Sequence, residues 1–285
     1  MKSLTDASPE HTALRPSARP ENWSFIVASN DEHVLQNSLL RSPGLTDVRE
    51  VIVERGHRCA GAAYNQGMAK ATGDIVVFVH QDVFLPAEWI SSFSRALAFL
   101  EKSDPNWGVL GGWGITPDGH GIGHIYSTGL QQTLGKAFEP PSEVSTLDEV
   151  LLVLRRSSGL RFDEYLPGFH LYGTDICLQA RRRGMKNYAI SAFCIHNSNG
   201  IRWLPLAFWK SFFYVRRKWR DELPVYSPCM RITRSGWPFA RYYSWKVKEV
   251  VLRTSKTGRR CECPDKLYEE IAGANSQLTV GKAKF

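Results

Sequence analysis

The sequence predicts an α/β protein with a mostly parallel central sheet flanked by helices and a helical extension towards its C-terminal end. Three observations carry this. Short Val/Ile-rich runs alternate with helical patterns between residues 24 and 102, the order that builds parallel βαβ units. Residues 74–80 (DIVVFVH) form one apolar run between Gly73 and Gln81, as a strand buried on both faces requires. Residues 87–102 place Ile90, Phe93, Ala96, Leu97 and Leu100 on one stripe at helical spacing, the face with which a helix covers such a sheet.

Taken in order, residues 1–21 are polar and contain prolines, and read as a flexible tail. A strand at 24–28 (SFIVA) ends in Ser29-Asn30-Asp31, and a second at 48–53 (VREVIV) ends at Glu54. The small-residue run 59–71 (CAGAAYNQGMAKA) reads as a helix packed closely on the sheet. After the strand at 74–80 and the helix at 87–102, a strand is expected at 107–115 and a long glycine-rich loop through Gly135. A buried strand at 149–154, a helix at 174–183 stopped by Gly184 and a strand at 187–195 complete a catalytic domain spanning 22–200. Helices at 203–220 and 239–253 make up an aromatic, basic extension over 201–253, and 254–285 turns polar again as a C-terminal tail.

The 285 residues are 43% hydrophobic, 22% charged and 12% aromatic, which is globular composition. Six cysteines are too few for a disulfide scaffold, and a reducing, cytoplasmic setting is expected. No apolar run approaches the roughly 18–20 residues of a membrane span, and the N-terminal stretch lacks the apolar core of a secretory signal. The net charge of +8 is concentrated. Residues 201–253 hold 12 Lys/Arg and three acids, leaving about −1 on the rest of the chain. The extension is therefore expected to meet something anionic while the body does separate work.

In open α/β sheets, ligands bind beyond the carboxyl ends of the strands. Here those ends carry Ser29-Asn30-Asp31, Glu54, His80-Gln81-Asp82 and, after the last strand of the body, His196-Asn197-Ser198. A carboxylate and imidazoles converging there could hold a divalent cation against a pyrophosphate. The plain alternative is that Asp82 caps the helix after Pro86 and that His80 and His196 are ordinary half-buried histidines.

The run Ala63-Tyr64-Asn65-Gln66-Gly67, then Ala71-Thr72-Gly73-Asp74, then FVHQDVFLP, resembles the nucleotide-sugar-binding half of family 2 glycosyltransferases, inverting enzymes with the GT-A fold. Their Asp-x-Asp motif binds Mg²⁺ or Mn²⁺ and the donor diphosphate. At the matching place Asp82 stands for the second carboxylate and His80 replaces the first. The His-Gln-Asp-Val form resembles a bacterial subgroup related to a streptomycin-biosynthesis protein. Phe162-Asp163-Glu164 and Tyr172-Gly173-Thr174-Asp175-Ile176-Cys177-Leu178 resemble the family's acceptor-side segment, with Asp175 at the catalytic-base position.

The resemblance covers roughly residues 22–200 and implies a metal-dependent inverting transfer from a nucleoside-diphosphate sugar to a saccharide or lipid-linked acceptor, in surface polysaccharide, glycolipid or glycoconjugate synthesis. Asp82, His196 and His80 would hold Mn²⁺ or Mg²⁺. The loss of one carboxylate favours Mn²⁺. Ser29, Asn30, Glu54, Asn65 and Gln81, with Asp82, would line the donor site, and Asp175 would be the base. Asp148 matches a position near the donor sugar, and it also reads simply as a surface carboxylate before a strand.

The chain departs from the family where Thr174 and Cys177 replace the usual acids. A non-catalytic sugar-nucleotide-binding protein is the alternative, and a nucleic-acid-binding protein a weaker one, since no binding module accompanies the basic segment. Gly119–Gly123 (GHGIG) lacks the strand-before-helix context of a dinucleotide fingerprint, and Cys261-Glu-Cys263 reads as a reduced pair. The basic extension predicts peripheral contact with the inner membrane face, its first helix placing Leu206, Phe213 and Trp209 on one stripe.

Overall fold

The computed structural model describes residues 19–201, 203–235, 237–252 and 257–281. Most of the expected N-terminal tail, Arg202, Arg253 and both ends of the polar C-terminal segment lie outside the described residues.

The first strand, β1 (Trp23–Ser29), runs parallel to β2 (Glu50–Arg55) on one side and β3 (Ile75–His80) on the other. Helix α1 (Glu32–Asn37) is capped by Asp31, whose Oδ1 accepts from the Val34 N–H at 3.1 Å. Helix α2 (Ala60–Lys70) crosses back over the sheet so closely that a Cβ on Gly67 would stand 2.4 Å from the Ile26 Cγ2. The small residues of this run are there for that approach. After the short β4 (Val83–Phe84), α3 (Glu88–Ser103) buries Trp89, Phe93, Leu97 and Leu100. Trp23 and Phe25 of β1 meet Trp89 and Phe93 edge-on, while Ile26 faces the opposite side with Tyr64 and Phe78. The alternation along β1 thus feeds two hydrophobic layers, one on each face.

The middle of the chain departs from expectation. The strand expected at 107–115 breaks at Gly112 into β5 (Val109–Gly111) and β6 (Trp113–Ile115), which belong to different sheets. The expected glycine-rich loop is instead a hairpin of β7 (Gly121–Ser127) and β8 (Gln132–Gly135). Next come β9 (Ser142–Val144), β10 (Thr146–Leu147) and β11 (Leu151–Arg155). Helix α4 (Tyr172–Arg182) follows, and the strand expected at 187–195 divides into β12 (Asn187–Ala189) and β13 (Cys194–His196).

The main sheet has the order β2-β1-β3-β11-β5-β12-β9, and a second has β10-β6-β7-β13-β4. The expectation of a mostly parallel sheet is corrected. Pairs β1/β2, β1/β3 and β5/β12 are parallel, whereas β3/β11, β11/β5 and β12/β9 are antiparallel. An apolar run reports burial on both faces and carries no direction; β11 enters between β3 and β5 the other way round. The α/β class itself stands, with helices on both faces of the sheet.

The extension holds α5 (Leu206–Lys218), a hairpin of β14 (Val225–Tyr226) and β15 (Arg231–Ile232), and α6 (Trp237–Val251). The polar segment after it contains α7 (Pro264–Gly281). In α5, Phe208, Trp209, Phe212 and Val215 are buried against the body. Of the residues expected on one stripe, Trp209 is buried against Phe239, Tyr242 and Tyr243 of α6, while Leu206 and Phe213 are exposed.

Candidate active site

Three parallel strands deliver their ends to one edge. A cavity of about 330 Å³ lies there, lined by Ser29, Asn30, Glu54, His57, Tyr64, His80, Gln81, Asp82 and Phe169 among others. Of the expected donor-site residues, Ser29, Asn30, Glu54, Gln81 and Asp82 meet in it. Gln81 ties the ends of β1 and β3 together. Its Oε1 accepts from Ser29 Oγ (2.8 Å) and from the N–H groups of Asn30 and Asp31 (3.1 Å each), and its Nε2 donates to Asn30 Oδ1 (2.7 Å). Glu54 is 3% exposed and is held by Lys70 Nζ (2.6 Å) and His57 Nε2 (3.0 Å).

Asn65 lies apart from that lining. It donates to the Phe162 carbonyl (2.8 Å) and to Glu164 Oε1 (2.9 Å), and accepts from the Phe162 N–H (3.0 Å). It fixes the 162–164 turn against α2.

Ligand atoms of His80, Asp82 and His196 all lie within 4.8 Å of one another. Asp82 Oδ1 is 3.5 Å from His196 Nε2 and 4.0 Å from His80 Nδ1. β13 pairs antiparallel with β4, with His196 opposite Val83, and this is what carries His196 to the end of β3. Desolvation would raise the Asp82 carboxyl, but the hydrogen bond and charge of His196, then His80 and Arg260, overcome it and hold the group far below its ordinary value. Desolvation likewise opposes charge on His196, yet Asp82 wins and raises it. His80 is lowered, with burial the largest cause.

The orientation of His80 follows from its neighbours. Tyr172 Oη donates to the Glu149 carbonyl (3.1 Å) and so accepts from His80 Nε2, 2.9 Å away. The proton on Nε2 leaves a lone pair on Nδ1, the nitrogen that faces Asp82. Two imidazole nitrogens and one carboxylate oxygen are a donor set suited to Mn²⁺ and similar borderline cations, and less so to Mg²⁺, which takes mainly oxygen ligands. The residues present fit a divalent cation.

A further cation comes from the far end of the chain. Arg260 Nη2 is 3.3 Å from Asp82 Oδ2, and its Nε donates to the Asn197 carbonyl at 2.8 Å. Asn197 clamps the segment in both directions: Nδ2 donates to the Cys261 carbonyl (2.8 Å) and Oδ1 accepts from the Cys261 N–H (2.7 Å). Gly258 bridges Gly129 and Gly200 by backbone hydrogen bonds. The stretch read as a polar tail thus reaches the site. Cys261 and Cys263 are free thiols.

Asp175 sits one turn into α4 and is 1% exposed. Its Oδ1 accepts from Trp219 Nε1 (2.7 Å) and lies 2.7 Å from Lys218 Nζ; its Oδ2 accepts from Gln179 Nε2 (2.8 Å). Lys218 also binds Asp163 Oδ2 at 2.6 Å, and Tyr214 Oη donates to the same oxygen at 2.9 Å. This network fastens α5 to α4. The Asp175 carboxylate is thereby taken up on both oxygens by Trp219, Lys218 and Gln179.

Asp148 and Glu149 stand closer to the metal-ligand cluster. Asp148 is half-buried, its Oδ1 accepts from the Val150 N–H (3.0 Å), and its charge acts on both His80 and His196. Burial, then the charge of Asp148, pushes Glu149 up to about 8. Leu171, just before α4, has φ +62°, a conformation unfavourable for a leucine and held here by its burial. It turns the chain between His170 and Tyr172. Sequence reasoning missed His57, Tyr172 as a partner of His80, and Arg260. Only Tyr172 lay inside a motif.

A protein of Fuscovulum blasticum described as "ATP synthase subunits region ORF 6" is 32% identical over 145 residues, 48% of this chain and 57% of that protein. The chain thus spans little more than half of that relative. Among solved structures, GalNAc-T7 with UDP, GalNAc and Mn²⁺ aligns over 70% of this chain and 48% of its own at 13% identity and a TM-score of 0.49. The mannosyltransferase PcManGT from Pyrobaculum calidifontis with GDP-Man and Mn²⁺ aligns over 66% and 60% at 14% identity and a TM-score of 0.41. S. aureus TarS 1-349 aligns over 60% and 58% at 15% identity and a TM-score of 0.40. Residues 24–204, which include all of β1 but Trp23, the His80–Asp82–His196 cluster and α4, match the model of a glycosyltransferase-like family, and to that family the chain belongs.

Proposed function

We propose that the protein transfers a sugar from a nucleoside-diphosphate donor to a saccharide or lipid-linked hydroxyl acceptor with inversion, using a divalent cation. One observation carries the reading: the cavity at the strand ends joins a polar pocket to a three-residue metal-ligand cluster. His80, Asp82 and His196 would hold the cation, Mn²⁺ before Mg²⁺ by donor type. Bound there, it would supply charge to offset the donor diphosphate. The His-Gln-Asp-Val sequence supports the reading that the chain belongs with the bacterial streptomycin-related subgroup.

The chain's own residues supply the rest. Gln81 keeps Ser29 and Asn30 at the pocket wall, where they can meet the nucleoside. Tyr172 orients His80. Arg260 brings a second positive charge to the diphosphate side. The base role expected of Asp175 passes to Asp148, which is near the cluster and half-buried, whereas Asp175 is occupied by Trp219, Lys218 and Gln179. Incubation with a panel of nucleoside-diphosphate sugars and Mn²⁺ tests the reading through release of the nucleoside diphosphate. One or a few donors should react, and chelation should stop the reaction. Release from none, with or without acceptor, returns the protein to the non-catalytic alternative.

A further inference from the structure

Helices α5 and α6 leave an unusual amount of apolar surface outside. On α6, residues at intervals of four, Phe239, Tyr243, Val247 and Val251, are 36–73% exposed, and Trp245 is 52% exposed. On α5 the outward line is Leu206, Lys210, Phe213 and Arg217, with Leu206 72% and Phe213 47% exposed. The two lines are continuous: Phe213 meets Phe239 at 6.1 Å between ring centroids, and Phe239 meets Tyr243 at 4.8 Å. Apolar rows of this kind ordinarily pack on something, and no described element covers them.

The charge around these rows is positive. Lys218 and Arg216, counted with the basic cluster in the sequence, are consumed inside the fold: Lys218 by Asp163 and Asp175, and Arg216 by the Thr233 and Arg234 carbonyls. Lys210, Arg217, Arg241 and Lys248 remain exposed and have no ion pair with a described carboxylate. The one acid of α6, Glu249, is paired with Lys246 at 2.8 Å. Between α6 and the β14–β15 hairpin lies a cavity of about 470 Å³ lined by Arg231, Thr233, Ser235, Arg241, Tyr242 and Trp245, with no carboxylate in its wall. Thr146, two residues before Asp148, donates through Oγ1 to the Tyr226 carbonyl at 2.5 Å and so fastens the hairpin that bears Arg231.

We infer that the outward face of α5 and α6 rests on an anionic lipid surface and that the Arg231–Arg241 cavity receives a lipid-borne phosphate. Aromatic and aliphatic side chains enter the interface while Lys and Arg meet headgroups, the arrangement of helices that lie in a membrane plane. Arginine pairs with phosphate through its planar fork. No described helix is long and apolar enough to cross the membrane, so the contact is peripheral.

Flotation with vesicles tests this on the full chain. Vesicles of phosphatidylcholine alone are compared with vesicles that also contain phosphatidic acid, for the wild type, for Tyr243→Ser/Val247→Ser/Val251→Ser and for Arg231→Gln/Arg241→Gln. The wild type should bind the anionic vesicles, and each variant should bind them about tenfold or more weakly. Inorganic phosphate at matched ionic strength should leave the wild type bound. Binding blind to lipid charge, variants that bind as the wild type does, displacement by inorganic phosphate, or a wild type that covers this face in a dimer would each overturn the inference. Thermal shift with nucleoside diphosphate and Mn²⁺ on the same preparations reports the donor site separately, so failure there and failure at the membrane are distinguishable.

Discussion

Arg260 Nη2 stands 3.3 Å from Asp82 Oδ2, although 178 residues separate the two in sequence. The guanidinium occupies the side of the carboxylate away from His196, which faces Oδ1. Without a metal ion, Arg260 and the two histidines share the neutralisation of Asp82. A divalent cation and Arg260 therefore compete for the same charge.

Arg260→Gln should accordingly raise Mn²⁺ affinity, by about fivefold if the partly exposed pair is worth about 1 kcal/mol. Titration of free Mn²⁺ by electron paramagnetic resonance, in the absence of nucleotide, reads this. A weaker Mn²⁺ site in the variant would show that Arg260 supports the metal ligands instead of competing with a cation.

Asp175→Asn should act on stability. It removes the negative charge that faces Lys218, leaving the ammonium with Asp163 alone. Breaking a buried pair on one side is costly, and with Lys218 27% exposed about 2–3 kcal/mol is expected. Urea unfolding measures it. An unchanged midpoint with lost turnover would restore Asp175 to the chemistry.

Asp148→Asn should leave nucleoside-diphosphate binding intact and lower transfer by about 10²–10⁴-fold, the usual span for a lost general base. Binding by calorimetry and turnover with a reactive donor separate the two. Turnover within a small factor of wild type would dismiss Asp148 as the base.

Glu149→Gln should change the pH dependence of stability. Burial and the charge of Asp148 raise the carboxyl from its ordinary 4.5 to about 8, so the folded state retains a proton that the unfolded chain releases. Wild-type stability is therefore lost as pH rises from about 4.5 to about 8 and levels off above that. The variant has no such loss. Its melting temperature should match that of wild type near pH 4.5 and exceed it increasingly up to pH 8. A constant difference across that window would contradict the buried-acid account.

The strand ends were legible because each apolar run stops abruptly at polar residues. Ser29, Glu54 and His80-Gln81-Asp82 sit where such stops put them, and the small residues of α2 signalled its close approach to β1. The break at Gly112 was not legible, since WGVLGGWGI reads as one strand until two sheets divide it. Nor was the direction of β11, because full burial erases alternation. Asp175 was placed by motif, and only the position of Trp219 and Lys218 reveals that it is enclosed. Arg260 had no local signal. Its role comes from the clamp that Asn197 makes on Cys261.

The most direct measurement is calorimetric binding of UDP and GDP to the wild type and to Asp82→Asn, each with Mn²⁺ and with chelator. The wild type should bind at least one of the two nucleotides with Mn²⁺ and lose about 100-fold or more in affinity with chelator, while Asp82→Asn should bind weakly and equally in both conditions. Nucleotide binding that is the same in wild type and variant, and indifferent to Mn²⁺, would contradict the assignment of His80, Asp82 and His196 as the metal centre of the donor site.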